Sequence, residues 1–190
     1  MPLSRRTDLR RLLLGVWLIL SCVLARADDI FVQSVEFSGE NGEYYLSATF
    51  DISLTPTVEE ALNKGVPLYF VLEFELIYPR WYTLFFWNKR VAELQQIYRL
   101  SFNALTRQYR LSFGILNQSF DTLEDAMLVL GGVMEQRVSL LSRLDEDRVY
   151  EAQVRMRLDT TRLPKPFQVE AFGSDTWDVS SSWFRWTTKP

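Results

Sequence analysis

There is no histidine among the 190 residues, and the one cysteine is Cys22. Ser–His and Cys–His nucleophile systems are therefore excluded, as is zinc held by the usual imidazole and thiolate ligands. Serine chemistry activated by lysine needs a positioned pair, and Lys64, Lys89, Lys165 and Lys189 all fall in turns or tails. Carboxylates remain. Glu73 and Glu75 stand two positions apart in an apolar run, about 7 Å along a strand and on one face. That spacing suits the two carboxyls of a glycosidase; the plainer reading puts both on the solvated face of a sheet. Asp145-Glu146-Asp147 offers oxygen ligands for calcium. It lacks the glycine and the fourth acid of a dedicated loop, so a solvated hairpin turn is expected.

The guanidinium groups form a second set. Arg80, Arg99, Arg107 and Arg110 fall at or beside one short stretch of an acidic chain. Such a group can hold an anionic ligand or an acidic protein surface through bidentate pairs, unless Glu73, Glu75 or nearby aspartates neutralise it. Next to Arg80 runs Trp81–Trp87, with five aromatics in seven residues. That is more than one strand face buries, and aromatic residues beside arginine are the composition of an interface. The rival readings are a core and strand-edge filler, or sugar stacking on Trp81 or Trp87. Arg80, Trp81, Tyr82, Trp87, Arg99 and Arg110 are the candidate partner-binding residues. No catalytic residue, cofactor or metal site is assigned.

The element that must position these groups is Ile97–Asn117. It contains Tyr-Arg-Leu-Ser-Phe twice, at Tyr98–Phe102 and Tyr109–Phe113. Both copies alternate apolar and polar residues, the period of a half-buried strand. The polar Asn103–Gln108 folds the arms antiparallel. With Phe102 opposite Tyr109, Leu100 meets Leu111 and Tyr98 meets Phe113. One face of the ribbon is then apolar and the other carries Arg99 and Arg110. A lone ribbon is marginal and needs a partner layer.

The rest of the chain supplies it. Ile30–Ser38 and Tyr44–Leu54 read as strands around the Gly39–Gly42 turn. Thr55-Pro56 starts a short helix, with Thr55 as N-cap and Pro56 in the first turn. Pro67–Tyr78 is the longest apolar strand. Asp121 with Glu124, or Thr122 with Asp125, caps a second helix that ends at Gly131-Gly132. Val133–Leu141 and Arg148–Leu158 are strands around the acidic turn, and Val179–Thr187 closes the domain. Phe167–Phe172 fits a short helix as readily as a strand. Tyr45–Leu76 and Tyr109–Leu140 echo one another as strand, capped helix, glycine stop and strand. The expected fold is a single mainly β domain over residues 28–190. It is read as an immunoglobulin-like antiparallel β-sandwich with two or three short rim helices, with a single α+β sheet as the alternative.

The first segment stands apart. Arg5, Arg6, Arg10 and Arg11 precede the apolar run Leu12–Leu24, which is too short to cross a bilayer comfortably. Ala25-Arg26-Ala27 then forms a small-x-small cleavage site. This is the layout of a signal peptide over residues 1–27, and it implies export to the periplasm. Lipidation at Cys22, a twin-arginine route through Arg5-Arg6 and an uncut membrane anchor are the alternatives. Without this segment the chain holds 16 of its 21 basic and 23 of its 24 acidic residues, a net charge of −7. That argues against sequence-independent nucleic-acid binding, which needs a basic face. The apolar fraction of 47% excludes a disordered chain, and the domain must stand on its core with no disulfide.

Five stretches together resemble a bacterial family called domain of unknown function 4390. They are Tyr78-Pro79-Arg80-Trp81-Tyr82, Tyr98-Arg99-Leu100-Ser101, Leu105–Arg110, Leu163–Val169 and Ser181–Trp186. The resemblance covers nearly all of residues 28–190. It implies a secreted protein of Gram-negative bacteria, whose relatives are often encoded near a sensor histidine kinase with a periplasmic portion. It carries over no catalytic residue. The function expected is an exported non-enzymatic binding module that engages an envelope protein or the periplasmic region of a sensor kinase. A carboxylate-based cell-wall glycan hydrolase or glycan binder is the alternative, and a carrier for an apolar ligand between the sheets is a third.

Overall fold

The computed structural model describes residues 29–78, 89–145 and 147–189. Ten strands and three α-helices are present among them. In chain order they are β1 (Ile30–Glu40), β2 (Glu43–Ile52), α1 (Pro56–Asn63), β3 (Leu68–Tyr78), β4 (Lys89–Asn103), β5 (Gln108–Phe113) and β6 (Leu116–Phe120). Then follow α2 (Leu123–Gly131), β7 (Gly132–Arg137), β8 (Ser139–Leu140), β9 (Tyr150–Leu158), α3 (Lys165–Ala171) and β10 (Phe184–Thr188). Two antiparallel sheets face each other. The small one has the order β1-β2-β7, and the large one β10-β9-β3-β4-β5-β6, with β8 added beside β4. The chain is a mainly β sandwich. Four consecutive strands of the large sheet run as a meander, and the immunoglobulin-like strand order is not confirmed.

The alternation that names the strands also builds the core. On β9 every second residue from Tyr150 to Leu158 is buried, and the residues between are half-buried. On β3 Phe70, Leu72, Phe74 and Leu76 are at most 1% exposed, while Glu73 and Glu75 face outward. Phe74 stacks on Phe37 of β1 at 5.4 Å and leans on Trp186 of β10 at 6.0 Å, which joins the two sheets. The twin pentapeptides pair in the expected register: Phe102 opposite Tyr109, Leu100 opposite Leu111, Tyr98 opposite Phe113. The last two pairs are stabilised differently. Leu100 and Leu111 are wholly buried, and the Tyr98 and Phe113 rings meet at 5.3 Å. Burial pushes the Tyr98 phenol up to about 12.

The helices carry the chain between sheets. Thr55 caps α1 by accepting from the Val58 amide at 3.3 Å, with Pro56 in the first turn, and α1 leads from β2 of the small sheet to β3 of the large one. Thr122, not Asp121, caps α2; its hydroxyl accepts from the Asp125 amide at 3.1 Å and donates to the Asp125 carboxylate at 2.7 Å. This second helix leads back from β6 to β7. The internal echo is thus a pair of crossings in opposite directions. Gly131 lets α2 sit directly on β2: a Cβ there would lie 2.2 Å from the Phe50 carbonyl oxygen.

Several expectations change. In β1 the pairing slips between Val32 and Ser34. Gln33 is an extra residue, so Val32, Val35 and Phe37 turn inward and Phe31 stays 55% exposed; such a bulge defeats a period-two reading. Val133–Leu141 is not one strand. Val138 is buried and donates its amide to the Tyr44 carbonyl, after which β8 leaves for β4 in the other sheet. Consequently Asp145 and Asp147 do not close a hairpin, because β9 pairs with β3 and β10. Glu146 lies outside the described residues. Phe167–Phe172 is largely helical, as α3, and Phe167 packs on the buried Trp177 at 5.9 Å.

Candidate binding face

Tertiary pairing turns the outer face of the large sheet into two regions. Strand register places Glu73 of β3 opposite Arg155 of β9, and Glu75 opposite Gln153. The Glu73 carboxylate accepts from Arg155 Nε at 2.5 Å and from Arg157 Nη2 at 3.0 Å. Arg155 in turn lies over the Trp183 ring, 4.3 Å from its centroid, a cation–π contact. Glu75 accepts from Arg90 Nη1 at 3.0 Å and Gln153 Nε2 at 2.8 Å, and Arg185 Nε donates to Gln153 at 3.2 Å. Burial pushes the Glu73 carboxyl up, but the hydrogen bonds from Arg157 and Arg155 outweigh it and hold it below the usual carboxylate range. A glycosidase acid needs the opposite shift. The cleft beside these residues holds about 200 Å³, under the roughly 300 Å³ at which ligand pockets usually begin.

The second region lies on β4 and β5. Arg99 stands opposite Tyr69 on one side and Ser112 on the other; Arg110 stands opposite Ser101 and Ser119. All four neighbours carry hydroxyls, and none carries a carboxylate. The acids nearest in sequence are engaged elsewhere: Glu93 pairs with Arg90 at 3.6 Å, and Asp121 accepts from Gln108 Nε2 at 3.0 Å. Arg99 and Arg110 are exposed and form no ion pair among the described residues. Diagonal neighbours on paired strands sit about 7–8 Å apart, so the two guanidiniums can reach one carboxylate-bearing surface. Arg107 lies in the turn above, exposed, with a left-handed φ of 54°. That turn is held by Asn103, whose side-chain oxygen accepts from the Leu105 and Thr106 amides at 3.0 and 3.4 Å.

Of the residues singled out from sequence, the structure brings Arg99 and Arg110 together. Arg80, Trp81, Tyr82 and Trp87 lie outside the described residues. The connection that contains them leaves β3 at Tyr78 and enters β4 at Lys89. Lys89 is ten strand positions from Arg99, about 33 Å at strand rise. The cations of Glu73 and Glu75 prove to be Arg155, Arg157 and Arg90, which sequence reading had not selected. Their signal was available: the outward row Gln153, Arg155, Arg157 complements the outward Glu73 and Glu75.

Asp145 accepts from Arg148 Nε at 2.7 Å and from the Asp147 amide at 3.3 Å. Among the described residues no group of three or more cysteines, aspartates or glutamates is placed to hold a metal ion, and no helix is long and apolar enough to cross a membrane. A family model described as a domain of unknown function (DUF4390) matches residues 27–187. No curated protein and no solved structure matches the chain.

Proposed function

The chain belongs to the DUF4390 family, and from that premise we propose that it is an exported, non-enzymatic module that binds a protein partner in the cell envelope. The periplasmic region of a sensor kinase is the first partner to test. Its N-terminal 27 residues serve as a signal peptide, and the domain over residues 28–190 works in the periplasm. The observation that carries this reading is the pair of exposed arginines, Arg99 and Arg110. In a domain with a net charge of −7, most guanidiniums on this sheet face are matched to acids or amides, and these two have no such partner among the described residues. Arginine without an internal partner is suited to bidentate pairing with a carboxylate across an interface. Arg80, Trp81, Tyr82 and Trp87 belong to the same proposal as a second, aromatic contact region. The absence of histidine and cysteine from residues 28–190 removes the commonest catalytic machinery.

The test is a photocrosslinker placed at Ser112 or Ser119, between the two arginines and the β6 edge, in cells making the native protein. The captured protein is identified by mass spectrometry, and its affinity for purified native, Arg99→Ala/Arg110→Ala and Trp81→Ala proteins is measured. A partner whose affinity falls at least tenfold in the double arginine variant supports the reading. Equal affinity in every variant removes it.

A further inference from the structure

We propose that the groove between the first turns of α1 and α2 docks a partner peptide whose apolar side chains are flanked by lysine or arginine. This goes beyond the arginine face: it is a separate surface, of opposite charge. Phe50 and Ile52 of β2, Leu54, and Leu123, Met127 and Leu128 of α2 line an open groove of about 390 Å³. Three acids, Asp51, Glu59 and Glu124, stand at its rim, and no lysine or arginine among the described residues lines it. None of the three acids forms an ion pair among the described residues. Two features of the groove exceed what folding requires. Glu59 and Glu124 are first-turn acids that complement their helix dipoles, but Asp51 is an exposed strand residue with no such task. Leu128 is 77% exposed on α2, where a polar residue would serve the helix equally.

Apolar walls under an acidic rim choose among guests. A fatty-acid carboxylate or a phosphate headgroup would meet like charge, whereas a peptide with leucine-type side chains beside cations meets complementary charge. A groove of this volume takes a few side chains, the footprint of a short helical motif with anchors at i, i+3 and i+4. The negative field is already felt inside the fold. The Tyr109 phenol is raised first by burial and then by Glu59 and Glu124. The chain's own N-terminal segment is the competing occupant. The Asp29 carbonyl accepts from the Ser53 amide at 2.9 Å, which places the first described residue next to Ile52 and Leu54 of the groove, and residues 1–28 carry Arg5, Arg6, Arg10, Arg11 and Arg26 around an apolar run in the sequence.

The experiment uses the protein purified after export and fluorescein-labelled peptides, read by polarisation. One peptide is a 14-residue amphipathic helix of leucine and lysine; a second replaces each lysine with glutamate; a third is residues 1–27. Decanoate serves as an apolar competitor. The leucine–lysine peptide is expected to bind saturably, and its glutamate counterpart at least tenfold more weakly. Glu59→Gln/Glu124→Gln should weaken the first peptide about tenfold, as two lost charge pairs would, and Leu128→Arg should weaken it at least as much. Leu128 is largely exposed, so thermal unfolding of that variant stays at the native midpoint. Glu36→Gln/Glu40→Gln, which lowers the charge away from the groove, should change nothing. Arg99→Ala/Arg110→Ala should also leave peptide binding intact, so the two surfaces fail or stand separately. Equal binding of both helical peptides, displacement by decanoate, or equal loss in the Glu36/Glu40 variant would overturn the proposal. Tighter binding of residues 1–27 than of the leucine–lysine peptide would overturn it in favour of the leader.

Discussion

The outer face of the large sheet carries arginines in two settings, and the difference between them is one of register. On β9 and β3, Arg155 and Arg157 close on Glu73 from across and from the diagonal, and Arg90, at the start of β4, closes on Glu75. On β4 and β5, the same residue type meets serine, serine, serine and tyrosine. Both settings lie on one face of one sheet, the first half-buried and the second exposed. In the first, each charge has a partner of opposite sign on another strand. The second keeps its charge for solvent or for another molecule. An ion pair at the exposed Arg99 or Arg110 would contribute only about 0–1 kcal/mol, so fold stability gives little reason to match them. The half with an unmet charge is the half that has something to offer a partner.

Removing the acid at the centre of the matched half has the largest expected effect. The Glu73 side chain is only 17% exposed, and Glu73→Ala leaves two half-buried guanidiniums without an acceptor. A loss of about 2–3 kcal/mol follows, below the range for a fully buried pair, measured by urea unfolding. The same carboxylate makes this half sensitive to acid. Because the folded protein holds Glu73 below its usual range, its contribution is complete above the unfolded value of about 4.3 and is lost as pH falls through the folded value. Native protein should therefore lose more stability below about pH 4 than Glu73→Gln does, in paired urea titrations. The comparison can also be broken by giving the unmatched half an acid. Ser112→Glu places a carboxylate opposite Arg99 and two residues along from Arg110. It should raise stability by no more than about 0.5 kcal/mol and yet weaken the partner's affinity at least tenfold.

Local chemistry made much of this readable in advance. The hairpin register follows from two copies of one pentapeptide, since a one-residue slip would turn Leu100 or Leu111 into water. The caps at Thr55 and Thr122 depend on residues within one helical turn. The complementary outward rows of β3 and β9 were visible in the sequence, but which strands become neighbours is non-local. Glu73 and Arg155 are 82 positions apart, and their pairing depends on β9 choosing β3 over its sequence neighbours β7 and β8. The departure of β8 into the other sheet depends on Val138 being buried between them. The same limit governs the site. Arg99 and Arg110 could be placed on one outward face from their alternation, but whether they were matched depended on which residues β3 and β6 put beside them. Asp51, Glu59 and Glu124 each read as an ordinary strand or first-turn acid, and only the meeting of the two crossings puts them around one groove.

Arg99→Ala/Arg110→Ala carries the smallest expected effect on stability and the sharpest contrast with Glu73→Ala. Each guanidinium projects from an exposed position and has no acceptor to lose among the described residues, and the strand positions beneath are held by Leu100 and Leu111, both wholly buried. Truncation at such positions changes folding free energy by no more than about 0.5 kcal/mol. Alanine is depleted in strands and covers less of the sheet than arginine's long stem does, so the small change should run toward destabilisation. Urea unfolding of the double variant should give a midpoint close to native, with the same slope. A drop of 2 kcal/mol or more would mean that the two arginines are structural after all and that the two halves of the face do not differ in kind. A native midpoint together with lost partner affinity would separate holding the sheet together from reaching beyond it, on strands of one and the same sheet.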